Sequence, residues 1–163
     1  MTKHYGREMA TTQHDRTTLS LSWLAKAAMA LEIFLSVGAF GGGGALMLGP
    51  RGEIIPLPVS LLRYSPFDSY FAPGLILFCI LGIGPLVAAT LAWRRHPSAP
   101  LAASAVGTAL LIWLVVEITI VGYSNNPPLQ LFYLVLGVVL TAVGLVWWAS
   151  LRSSVSRPGH ARR

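Results

Sequence analysis

Charged residues are scarce in this chain of 163 residues. Asp, Glu, Lys and Arg together make up 11% of the chain, and the mean hydropathy is +0.63. A soluble domain carries about 25% charged residues, so this chain has too little charge to cover a solvated globule. Its apolar residues also stand in long uninterrupted blocks. The composition therefore excludes a disordered chain and a nucleic-acid-binding domain, and it predicts a small integral membrane protein.

Cysteine and clustered histidine are also lacking. Cys79 is the single cysteine, so the chain cannot form an internal disulfide and has no CxxC motif. The four histidines lie in polar flanks, scattered too widely to hold a metal together: His4, His14, His96 and His160. No Ser/His/Asp set and no HExxH motif lies in the apolar blocks. We therefore expect no metal and no cofactor, and the sequence favours a protein that is not an enzyme.

Four apolar segments are long enough to cross a membrane. They cover residues 22–48, 74–93, 101–123 and 129–151. At about 1.5 Å per residue, each can span a hydrocarbon core of ~30 Å. The sequence predicts an all-α integral membrane protein, a four-transmembrane-helix bundle over residues 21–151. A polar tail over residues 1–20, which could form a nascent helix near the membrane, precedes it, and a basic tail over residues 152–163 follows it.

Basic residues flank these segments unevenly. Ten of them precede or lie at the start of the first span, follow the second span or follow the fourth: Lys3, Arg7, Arg16, Lys26, Arg94, Arg95, Arg152, Arg157, Arg162 and Arg163. The other two connections carry no excess of positive charge. The positive-inside rule then places both termini in the cytoplasm. The net charge of +6 is explained by these flanks, and without aromatic residues for base stacking the basic tail does not indicate a nucleic-acid partner.

Aromatic residues mark both expected interfaces. The tryptophans predicted to form an inner belt are Trp23, Trp93, Trp147 and Trp148. The tyrosines predicted to mark the outer interface are Tyr64, Tyr70, Tyr123 and Tyr133.

The long connection over residues 49–73 is apolar although it lies outside the predicted spans. We expect this external loop to associate with the membrane surface and to cap the bundle. Ser65-Pro66-Phe67-Asp68 is typical of a helix start, with Ser65 as the cap and Asp68 in the first turn. Arg51 and Arg63 supply the positive charges of the loop.

Glu32 is the most unusual residue of the first span. It lies about ten residues, or ~15 Å, into the helix, where a carboxylate must face protein or water. Ala28 and Ser36, one turn away on either side, indicate that Glu32 points into the bundle. Glu32 could bind a proton or cation, or it could be a packing residue hydrogen-bonded to a hydroxyl group. The expected hydroxyl partners are Thr90, Ser104, Thr108 and Thr141.

Glu117 and Pro85 are the other candidates within the spans. Glu117 lies nearer the outer end of the third span, and we expect it to bind Arg51, Arg63 or a loop tyrosine. The two carboxyl groups could also be successive stations on a path. Pro85 should kink the second span and free a backbone carbonyl. The glycine run 41–44 allows close helix contact or local unwinding.

Residues 65–74, SPFDSYFAPG, lead into the glycine-containing segment LGIGPL of residues 81–86. This stretch resembles an uncharacterised family of small four-span bacterial inner-membrane proteins, in which a similar S-P-F segment leads into a glycine-containing span. The resemblance implies the four-span architecture and carries no activity with it.

Three functions agree with the sequence. The first is a non-enzymatic accessory or interaction bundle that contacts another membrane protein or a second copy of itself within the lipid bilayer. The second is a small transporter or proton-coupled permease component that uses Glu32, alone or together with Glu117. The third and weakest is an enzyme acting at the outer surface through the loop over residues 49–73. A transporter needs a polar cavity beside Glu32, whereas a packing role needs Glu32 to be enclosed with a single partner.

Overall fold

A computed structural model describes the backbone of residues 5–123 and 128–155 and the side chains of residues 23–123 and 128–153. Over this part of the chain all the regular structure is helical. The long helices are α1 (Tyr5–Leu48), α2 (Phe71–Trp93), α3 (Ala99–Val121) and α4 (Leu129–Val155). Four segments are long and apolar enough to cross a membrane: Trp23–Leu48, Phe71–Trp93, Ala99–Val121 and Leu129–Ser153. The predicted fold class, an all-α bundle with four spanning helices, is confirmed.

The ends of the helices lie within a few residues of the predicted spans, apart from the start of α1, which lies well before the first predicted span. Within the predicted polar tail over residues 1–20, where the sequence allows a nascent helix, α1 begins at Tyr5 and continues unbroken into the span. Residues 5–20 hold no proline and one glycine, so nothing in them ends a helix. Residues 156–163 of the predicted basic tail lie outside the described part of the chain.

Neighbouring helices pack antiparallel at glycines. A side chain at Gly43 of α1 would lie 2.8 Å from the carbonyl oxygen of Gly74 in α2, whereas Gly41 and Gly44 face open space. In α3, a side chain at Gly107 would lie 2.8 Å from the Gly137 carbonyl oxygen of α4. Such close backbone approach increases dispersion contacts, which drive helix association in lipid. The glycine run therefore acts through Gly43, and the helix is not unwound there.

Some residues of both predicted aromatic belts are buried. Trp23 and Trp93 are 69% and 81% exposed, as an interface requires, but Trp147 is 6% exposed and belongs to the core. Trp147 follows Leu140 and Gly144 on the buried face of α4, because residues seven and three apart share one side of a helix. At the other end Tyr70 is 3% exposed and Tyr133 packs partly against the core, so these two tyrosines are covered by protein to a large extent.

The loop between α1 and α2 folds over one end of the bundle. A 3-10 helix, Val59–Tyr64, places Leu62 against Tyr70 and Leu46 in a small apolar cluster. The Tyr70 backbone N–H donates to the Pro50 carbonyl at 2.8 Å, and its hydroxyl donates to the Pro58 carbonyl at 3.0 Å. Burial raises the pKa of this phenol, so it remains a hydrogen-bond donor. The loop thus caps the end of the bundle, as expected.

Ser65 does not start a helix, and this prediction was wrong. Its backbone is extended at the end of the 3-10 helix, where its hydroxyl donates to the Leu62 carbonyl at 2.9 Å. It also accepts from the Phe67 N–H at 3.3 Å, as in a serine turn. The next helix begins at Phe71, because the backbone and hydroxyl of Tyr70 are held by the loop.

Candidate functional site

The candidate site is centred on Glu32, the tenth residue of the spanning part of α1, Trp23–Leu48. The buried face of α1 carries Ala28, Glu32, Leu35, Ser36 and Ala39, which recur at three- and four-residue intervals. Glu32 is 0% exposed. The sequence-based prediction that it points into the bundle agrees with this burial.

A π-helix in α2 lies opposite this face of α1. Residues Leu77–Ile83 form a wide turn in which the Gly84 N–H donates to the Cys79 carbonyl, five residues back. The turn stands directly before Pro85, which has no N–H and interrupts the regular bonding pattern. Single π-helical turns occur frequently at functional sites in other proteins. The sequence predicts a kink at Pro85, but it does not predict this change of helix type.

Ser36 joins α1 to that π-helix. Its hydroxyl donates a buried hydrogen bond of 2.6 Å to the carbonyl oxygen of Gly82. The approach depends on the glycine, since a side chain there would lie 2.6 Å from the ring of Phe40. Ser36 lies one turn from Glu32, and its hydroxyl therefore supplies a hydrogen-bond donor to a backbone carbonyl of the π-helix.

The two carboxyl oxygens of Glu32 have no hydrogen-bond partner among the residues whose side chains are described. The hydroxyl groups expected to bind it all donate to backbone carbonyls elsewhere: Thr90 to Leu86, Ser104 to Pro100, Thr108 to Ser104 and Thr141 to Gly137. The predicted partners were therefore wrong. Side chains of this kind, when buried in an apolar helix, bond most readily to the carbonyl four residues back.

An unpartnered carboxyl group in this interior is costly. A neutral polar group without a partner costs about 1–3 kcal/mol, and an isolated ionised carboxylate costs far more. We therefore expect Glu32 to be a neutral carboxylic acid in this packed interior. Chemically, such a group can take up or release a proton only if water or another polar group reaches it.

Two grooves on the outside of the bundle do not reach Glu32. One, of about 500 Å³, lies between α1 and α2 and has Lys26 and Trp93 at one end. The other, of about 390 Å³, lies between α1 and α4 and is lined by Phe34 and Phe132. Neither groove has Glu32 among its lining residues.

Glu117 binds a partner that the sequence did not suggest. The Gln130 side-chain nitrogen in α4 lies 3.3 Å from Glu117 Oε1 and 3.0 Å from the carbonyl oxygen of Gly122, and it donates to both. The expected partners Arg51 and Arg63 are exposed, and the guanidinium of Arg63 lies over the Tyr64 ring. Gln130 is buried at the start of α4, and the only signal for it was a polar residue beside a long apolar run.

The loop candidates do not join Glu32. The backbone N–H of Arg51 donates to Glu53 Oε2 at 2.8 Å, and the guanidinium of Arg63 lies 5.5 Å from the centre of the Tyr64 ring. Asp68 is exposed on the same loop. These contacts are local, so the structure provides no shared site for the loop charges and the intramembrane carboxyl group.

In the described part of the chain, no three His, Cys, Asp or Glu side chains are grouped to hold a metal ion. Comparisons with protein-family models, with curated proteins and with solved structures find no match for this chain.

Proposed function

We propose that this chain is a non-enzymatic accessory or interaction bundle of the bacterial inner membrane, and that both of its termini are cytoplasmic. The observation that carries the proposal is the enclosure of Glu32. The residue is fully buried, and neither surface groove reaches it. A transporter needs a polar cavity at its central site, whereas this polar group is surrounded by packed helices.

The outward faces support a role in contacts within the membrane. Large apolar side chains are exposed on α1, α3 and α4, among them Val37, Val115 and Val138. The rings of Phe34 and Phe132 meet edge to face at 5.8 Å in the seam between α1 and α4. Faces of this kind accommodate lipid, another membrane protein or a second copy of the chain.

The distribution of charge supports the orientation. Because the helices alternate in direction, Lys26, Arg94, Arg95 and Arg152 fall at the same end of the bundle. The loop at the opposite end carries two basic residues against Glu53 and Asp68. An excess of basic residues on one side indicates the cytoplasmic side. The resemblance of residues 65–74 to four-span inner-membrane proteins agrees with this proposal.

Photo-crosslinking in native membranes tests the interaction role. A photoreactive amino acid replaces Val37, Val115 or Val138 one at a time, so that three outward faces are sampled. We expect a discrete adduct from one face, of twice the chain mass for a homo-oligomer or of another mass for a different membrane protein. Adducts with lipid alone from all three faces would contradict the proposal.

A proton-coupled permease component is the second candidate function. It is favoured by one observation, the absence of a partner for either Glu32 oxygen within the described side chains. Movement at the π-helix of α2 would have to admit water before Glu32 could exchange a proton. Proteoliposomes with an imposed pH gradient test this role, with Glu117→Gln as the matched control. Proton flux that is lost in Glu32→Gln and kept in Glu117→Gln would favour it, and no flux in the wild type would exclude it.

A further inference from the structure

The groove between α1 and α2 combines an apolar floor with a basic end. Lys26 and Trp93 lie at one end of it, and Ile33 and Leu86 lie further along the same helices. Lys26 and Ile33 are seven residues apart, so the groove extends about 10 Å along α1. The groove therefore runs along the helix axis, as an acyl chain of a lipid does beside a spanning helix.

Two further basic residues follow the basic end of the groove in the chain. Arg94 and Arg95 follow Trp93 and are exposed, as is Lys26. The four acidic residues with described side chains lie elsewhere. Glu32 is buried in the bundle, and Glu53, Asp68 and Glu117 lie towards the opposite end. No described carboxylate therefore lies at the mouth of the groove. The charge at the mouth therefore complements an anion.

The end of α2 holds the two arginines in a defined turn. The His96 N–H donates to the Leu91 carbonyl at 2.9 Å and the Arg95 N–H donates to the Ala92 carbonyl at 3.0 Å, which together form a Schellman motif. Arg95 has a φ of 53°, a left-handed conformation in which glycine is the usual residue. The chain thus carries a cation at a position where glycine would cause less strain.

We propose that this groove binds one anionic phospholipid, with the headgroup at Lys26, Arg94 and Arg95 and an acyl chain along Ile33 and Leu86. Basic residues at a groove between spanning helices recognise acidic headgroups. A lipid is favoured over free phosphate because the site continues into an apolar groove that an acyl chain can fill. A zwitterionic lipid would lack the net negative charge that the mouth complements.

Native mass spectrometry tests the site with two variants and two matched controls. The protein is released from nanodiscs that contain equal amounts of phosphatidylglycerol and phosphatidylcholine. Lys26→Gln removes charge from the mouth, and Arg63→Gln removes one charge at the opposite end. Ala30→Trp places a large ring in the groove, and Ala105→Trp places the same ring on an exposed position of α3.

We expect the wild type to retain phosphatidylglycerol in preference to phosphatidylcholine. Lys26→Gln should lower the retained phosphatidylglycerol about five-fold, the change that corresponds to removing one basic residue near an anionic surface. Ala30→Trp should reduce retention of the bound lipid while Ala105→Trp does not. Equal retention of the two lipids by the wild type would overturn the proposal, as would an equal loss in a variant and its control.

Discussion

The hydroxyl of Ser36 in α1 donates a hydrogen bond of 2.6 Å to the carbonyl oxygen of Gly82, within the π-helix of α2. This bond joins two helices, whereas most other hydroxyl groups in the spans bond within their own helix. It lies one turn from Glu32, whose oxygens have no described partner. The hydrogen bond across the interface between α1 and α2 is thus made by Ser36, and not by the neighbouring carboxyl group of Glu32.

Ser36→Ala removes this contact and leaves the Gly82 carbonyl without its side-chain donor. We expect a loss of stability of about 1 kcal/mol. Ser150→Ala is the matched control, because the Ser150 hydroxyl donates only to the Val146 carbonyl of its own helix. Thermal unfolding in detergent measures both variants, and equal effects would show that the bond between helices contributes nothing specific.

Glu32→Met should stabilise the bundle by about 1–3 kcal/mol. The substitution replaces an unpartnered buried polar group by an apolar side chain of similar length, which removes a desolvation penalty. Glu117→Met is the contrasting variant, and it should destabilise because it deprives Gln130 of an acceptor. A Glu32→Met protein that is less stable than the wild type would mean that Glu32 has a polar partner in the membrane.

Gln130→Leu should lower stability by about 1–2 kcal/mol, because Gln130 donates to both Glu117 and the Gly122 carbonyl. Glu117→Gln separates charge from hydrogen bonding, since the amide keeps an acceptor oxygen for Gln130. We therefore expect Glu117→Gln to unfold near the wild-type temperature. If both variants were equally destabilised, the contact with Gln130 would require the carboxyl group itself, because an amide acceptor would not replace it.

Gly144→Ala should destabilise the contact between α3 and α4 by about 1–3 kcal/mol. Its new methyl group would lie 2.6 Å from the Pro100 carbonyl oxygen and 2.7 Å from the Ser104 nitrogen, both backbone atoms that cannot turn aside. Gly44→Ala is the control, because nothing lies within 4 Å of its added carbon. That variant should be unchanged or up to about 1 kcal/mol more stable, through its higher helix propensity.

Cysteine labelling in intact cells tests the orientation. Ser60 in the loop and Pro97 between α2 and α3 are both exposed, so each is replaced by a single cysteine. The Cys79→Ala substitution provides the cysteine-free background. A membrane-impermeant maleimide should reach Ser60→Cys from the outside and should label Pro97→Cys only after the cells are opened. The reverse pattern would place the basic end of the bundle outside.

The number and approximate limits of the spanning helices followed from the sequence alone. Hydropathy is a local property, so a run such as residues 74–93 predicts a membrane helix without knowledge of its neighbours. The inward direction of Glu32 could also be predicted, because small residues one turn away on either side indicate a packed face. Pro85 pointed correctly to the irregular region of α2, although not to a π-helix.

Tertiary structure decided which polar groups meet. Gln130 reaches Glu117, Ser36 reaches Gly82 and Glu32 reaches no described partner, because each outcome depends on how far the helices are rotated and shifted against one another. In a membrane protein both the lipid-facing and the buried surfaces are apolar, so hydropathy does not tell the two apart. The rotation and shift instead result from many weak contacts at small residues, such as Gly43 against Gly74, which a single sequence does not pair.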